Sequence, residues 1–145
     1  MEHFYSNTKE RRLLHFIHRF EEFEERKELI DPSEVLQLSS QVISRGVTFR
    51  AHRHIPKSVD IREIVAQEAW VVLSGSVRVT YFDEDGLEIC KRDLGPGDVS
   101  VTLYGGHSYQ ILEESKVLEF KTGPYMGQKQ DKVLSMMAGL FLDWL

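Results

Sequence analysis

His52 and His54 close a stretch, Gly46 to His54, that reads as one extended strand. Successive side chains on a strand point to opposite faces, so two histidines at i and i+2 point the same way. Two imidazoles on one side of a rigid element are half of a metal site; two surface histidines are the plainer reading. Strand parity adds Thr48 and Arg50 to the histidine face. An inward arginine needs a partner, either a carboxylate or phosphate on a ligand or an internal acid such as Glu119. Downstream, His107 and Tyr109 share a face by the same rule, and Tyr104 lies close to them in sequence. A buried tyrosine more often packs with its hydroxyl satisfied than transfers protons. His15 and His18 form a second spaced pair, with no carboxylate or cysteine set against them.

The elements that must position these groups change in character along the chain. Residues 8–28 are expected to be helical, because Leu13, Leu14, Phe16, Ile17, Phe20 and Phe23 recur at three- and four-residue steps. Asp31–Pro32 ends that pattern. Residues 34–122 then read as short strands. These are expected at Val35–Ile43, Gly46–His54, Asp60–Val65, Glu68–Leu73, Ser76–Phe82, Leu87–Lys91, Asp98–Tyr104, His107–Leu112 and Lys116–Lys121. Turn chemistry separates several of them: Asp83-Glu84-Asp85-Gly86, Gly95-Pro96-Gly97-Asp98, Gly105-Gly106 and Glu113-Glu114-Ser115. So many short strands imply an antiparallel sandwich or barrel. Residues 131–145, apolar over most of their circumference, are expected to form a helix docked on the barrel or across a dimer interface.

Bulk properties narrow the class. The 145 residues suit one domain with a real core. A formal net charge of -5 argues against a general nucleic-acid binder. The single cysteine, Cys90, precludes an internal disulfide framework and fits a reducing compartment. No apolar run reaches the roughly 20 residues that span a bilayer, and no secretion signal is apparent at the start. The expectation is a cytoplasmic protein with neither nucleic-acid nor membrane partners.

The order of parts resembles the cupin superfamily. Its first motif runs HxH, Glu, six residues, Gly, and here His52-Arg53-His54, Glu68 and Gly75 follow that order. Its second motif opens on Gly-Asp and ends in His, as Gly97-Asp98 through His107 does. The resemblance covers roughly residues 46–122. Two departures stand out: thirteen residues separate His54 from Glu68, a longer gap than the family usually shows, and the second motif is one residue short. The Tyr104–Tyr109 and Glu119–Gln128 stretches look like those of small bacterial cupins encoded beside surface-polysaccharide or sugar-nucleotide genes.

The resemblance implies a single mainly-β domain, 1–145: a double-stranded β-helix, or jelly-roll barrel, with N- and C-terminal helices. It implies one divalent metal held by His52, His54, Glu68 and His107. Three imidazoles and a carboxylate suit Fe, Mn, Ni or Zn rather than Ca or Mg. Arg50, Tyr104, Tyr109 and Glu119 are the expected contacts to a small-molecule ligand or substrate. Two functions follow: an enzyme acting on a small polar molecule such as a sugar or sugar nucleotide, with Tyr109 or Glu119 moving a proton, and a non-catalytic module that binds a small ligand. A homodimer is expected in either case.

Overall fold

The computed structural model describes residues 1–54 and 64–123. The chain is mainly β and its sheets are antiparallel. In chain order the strands are β1 (Glu2–Tyr5), β2 (Leu13–His18), β3 (Lys27–Glu28), β4 (Ser39–Ser40), β5 (Glu68–Ser74), β6 (Val77–Phe82), β7 (Glu88–Leu94), β8 (Val99–Thr102), β9 (Gly106–Ile111) and β10 (Lys116–Lys121). A five-stranded sheet runs β1-β2-β8-β5-β10, a three-stranded sheet runs β7-β6-β9, and β3-β4 form a small ribbon. Among the described residues, β9 and β10 each pair on one side only.

The two larger sheets pack face to face. Phe4, Ile17 and Val72 from one meet Val77, Val79, Tyr81 and Leu94 from the other in a shared apolar core. The five-stranded sheet also buries its outer face. There Phe16, Ala69, Val99, Val101 and Leu103 lie under Leu29 and Ile30, with Leu36 and Leu38 alongside. Gln67 ties that cover down by accepting the Leu36 N–H at 2.8 Å.

Burial on both faces explains the largest departure from expectation. Residues 8–28 do not form a helix. Leu13–His18 is a strand between β1 and β8, and its last five residues are all buried. His15 and Ile17 face the other sheet, while Phe16 faces outward into the second cluster. A central strand needs apolar side chains on both faces, and the resulting continuous run mimics a helical stripe. Phe20–Glu22 makes a single 3₁₀ turn, the one helical element among the described residues. The expected helix over 131–145 lies outside the described residues.

The strands expected over 68–121 are present with shifted ends. Val35–Ile43 shrinks to β4, and Gly46–His54 is not a strand: it is exposed from Val47 to His54. Most of the expected Asp60–Val65 strand lies outside the described residues, and Ile64 and Val65 are not in a strand.

The turns behave as their chemistry dictates. Gly86 takes φ 83° in the β6–β7 hairpin and donates its N–H to the Asp83 carbonyl at 2.9 Å. Gly97 takes φ 87°, and a Cβ there would fall 2.5 Å from the Phe20 ring, so the β7–β8 turn admits only glycine. Asp98, buried beside it, accepts the Gly95 N–H at 2.9 Å and the Phe20 N–H at 3.2 Å. Arg19 bridges Asp98 (2.8 Å) and Glu2 (2.7 Å), joining this turn to β1.

Candidate functional site

Between the sheets, one end of the shared interior is polar. Glu68 and Trp70 on β5, Ser100 and Thr102 on β8, and His15 on β2 project from the five-stranded sheet. Tyr81 on β6 and His107 and Tyr109 on β9 face them. Strand register sets this grouping: Glu68 sits opposite Thr102, His15 opposite Thr102, and Tyr81 opposite His107.

Two hydrogen-bonded chains run through it. In the first, Ser100 Oγ lies 2.6 Å from the Tyr81 hydroxyl and 3.0 Å from the Tyr109 hydroxyl. Burial pushes both phenols well above their ordinary range. Burial thus favours the protonated Tyr109 phenol over its phenolate at neutral pH.

The second chain can be followed proton by proton. Burial lowers His15 to about 4, so its ring is neutral. His15 Nε2 lies 3.0 Å from the Phe82 carbonyl oxygen, which can only accept, so Nε2 carries the proton. Its Nδ1 must then accept, and Thr102 Oγ1, at 3.1 Å, donates its single proton there. Thr102 Oγ1 is left to accept from His107 Nδ1–H at 2.9 Å. His107 thereby presents Nε2 to Glu68 Oε1 at 3.1 Å. Toward that carboxylate Nε2 offers either a second proton or a lone pair for a shared cation. A histidine whose other nitrogen is fixed by a donated bond is the usual arrangement of a metal ligand.

Of the four metal ligands expected, the structure brings Glu68 and His107 together and leaves His52 and His54 apart. His52 and His54 are exposed, their rings 5.2 Å apart and edge-on, and His52 Nδ1 lies 3.0 Å from the Arg50 carbonyl. Among the described residues, no three His, Cys, Asp or Glu side chains meet closely enough to hold an ion. On donor chemistry Glu68 and His107 fit a borderline divalent metal and supply half of the expected set.

The expected ligand contacts also divide. Tyr109 lines the polar end, its ring stacked 3.9 Å from Trp70 and 5.1 Å from His107. Glu119 pairs with Trp70 on β10 and is exposed, 3.7 Å from Lys121. Arg50 is exposed rather than inward. Tyr104 belongs to the outer face. Its hydroxyl donates to Glu34 at 3.2 Å, and the Arg12 guanidinium lies 4.5 Å above its ring. Closeness in sequence to His107 misleads because the chain leaves β8 after Thr102 and Tyr104 falls in the turn before β9.

His15, Thr102, Ser100 and Trp70 were not singled out as site residues. Placing Leu13–His18 as a strand would have found His15, since parity separates His15 from His18 and sets it with Ile17. His18 lies on the other side of β2, 3.5 Å from Glu22 and against Phe23. Among the described residues, no helix is long and apolar enough to cross a membrane. No family model, no curated protein and no solved structure matches this chain.

Proposed function

We propose that this chain is a cupin-type metal-binding protein whose polar interior end takes a small polar ligand. The observation that carries the reading is the proton chain from the Phe82 carbonyl to His107, which aims Nε2 at the buried Glu68 carboxylate. Glu68 and His107 would hold the ion, joined by His52 and His54. Thr48, Arg50, His52 and His54 alternate with Val47, Phe49 and Ala51, the pattern of a half-buried strand. β9 offers an edge with one neighbour among the described residues. Pairing there would give the 47–54 segment the backbone partners a strand requires. The bound ion would act as a Lewis acid toward a ligand oxygen. The protein's own part is to fix the His107 ring through Thr102, to keep the Tyr109 phenol protonated and to wall the site with Trp70.

The test is elemental analysis of untagged protein purified without chelator. One equivalent of Fe, Mn, Ni or Zn is expected. Glu68→Gln and His107→Ala should each lose it while the β-rich circular dichroism persists. His52→Ala/His54→Ala should lower the affinity about a hundredfold or more. Metal that survives His107→Ala would overturn the assignment.

A second reading is favoured by the direct His107–Glu68 contact. Without metal, the pair is a carboxylate-oriented imidazole able to take or give a proton. Metal-free protein that still binds or converts a small polar ligand, and loses this with His107→Ala, would select it. A sugar or sugar nucleotide is the ligand class to try first, and a module that only binds such a molecule is the outcome if no turnover follows.

A further inference from the structure

Trp70 lies on β5, on the face it shares with Glu68 and Val72, opposite Ser100 on one neighbour and Glu119 on the other. Its indole is stacked on Tyr109 at 3.9 Å and 10° between planes, and Tyr109 contacts His107. The indole is thus held against Tyr109, one ring away from His107. Its Nε1–H is buried and has no hydrogen-bond partner among the described residues. An indole N–H is a donor only, and a buried donor left unmade costs the desolvation it suffered on folding. Its neighbours do not have this defect: Ser100 bonds Tyr81 and Tyr109, and Thr102 bonds His15 and His107.

We propose that the Trp70 indole N–H is a specificity-determining donor that binds an oxygen acceptor of the ligand in this interior site. The inference rests on the reading of the polar end as a ligand site and names the group that would select among ligands. The acceptor is a carboxylate, phosphate or hydroxyl oxygen. Stacking on Tyr109 presets the donor direction, so little ordering is needed when the ligand arrives. A site built to satisfy such a donor rejects an analogue that lacks the acceptor, because the N–H is then buried unpaired.

The experiment follows the indole proton of ¹⁵N-labelled protein, with the Trp70 signal identified by its loss in Trp70→Phe. Acetate, inorganic phosphate and D-glucose are titrated separately into the metal-loaded and chelator-treated protein. The indole signal should exchange slowly with water in the unliganded protein and move downfield on addition of at least one probe. Trp70→Phe, which keeps the stacking ring, should weaken glucose binding about two- to tenfold, or that of an anionic probe about tenfold or more, the ranges expected for one hydrogen bond to a neutral and to a charged acceptor, and leave metal content unchanged. A signal that none of the three probes moves would overturn the proposal. So would a probe that binds Trp70→Phe as tightly as the parent. A shift that persists with no metal bound in either preparation would keep the Trp70 assignment and remove the metal reading, so the two fail separately.

Discussion

Thr102 has one hydroxyl proton and two histidines competing to define where it goes. Its commitment to His15 obliges His107 to donate from Nδ1, which leaves Nε2 toward Glu68. Thr102→Val keeps the shape and removes the link. Metal affinity should fall about 10–100-fold, as for loss of a ligand-orienting partner. Stability should fall by roughly 1–2 kcal/mol for the stranded imidazole nitrogens. Competition against a chromogenic chelator reads the first and urea unfolding the second. His15 makes the same chain sensitive to acid. Burial lowers its pKa from 6.5 to about 4, so the unfolded chain binds a proton there that the folded one refuses. Its contribution is fully present above pH 6.5 and is lost as pH falls toward 4, by roughly 3 kcal/mol in total. Unfolding free energies measured across that window should decline more steeply for the parent than for His15→Gln. Parallel curves would mean that His15 is not held neutral by the fold.

At the scale of elements, the β7–β8 turn is a clamp as well as a connection. Asp98 takes two backbone N–H groups and the Arg19 guanidinium, and Arg19 in turn holds Glu2 of β1. Asp98→Ala should cost about 2 kcal/mol or more, since it leaves two backbone donors unmatched and removes one of the two carboxylates that hold the Arg19 guanidinium. Arg19→Met should cost less because Asp98 keeps both backbone donors and Glu2 keeps the Arg92 guanidinium. Thermal denaturation of the two variants gives the order. Legibility from the sequence followed the kind of signal each element carries. Turns such as Asp83–Gly86 and Gly95–Asp98 were readable because positive φ leaves glycine as the favoured residue. β5, β6 and β10 were readable because alternation or turn boundaries bracket them. β2 was not, because burial on both faces erases the period that tells a strand from a helix. Glu68 and His107 were singled out by motif order, whereas the proton chain behind them depends on register between strands far apart in sequence.

For the molecule as a whole, the alternating stretch at 47–54 is the outstanding piece. If it joins the edge of β9 when metal binds, amide hydrogen exchange there should slow by at least tenfold on metal addition, while exchange in β2 and β8 stays unchanged. Unaltered exchange at 47–54, with metal bound, would confine the ligands to Glu68, His107 and groups elsewhere.

Among the described residues β9 and β10 each have a sheet partner on one side only, and a strand edge of that kind is a template for another extended polypeptide, a second molecule of the same chain included. If the 47–54 segment covers β9 only with an ion bound, as proposed, the metal-free protein should be the sticky form. Prolonged dialysis against chelator at high concentration would yield thioflavin-positive ribbons, and restoring the ion early would suppress them.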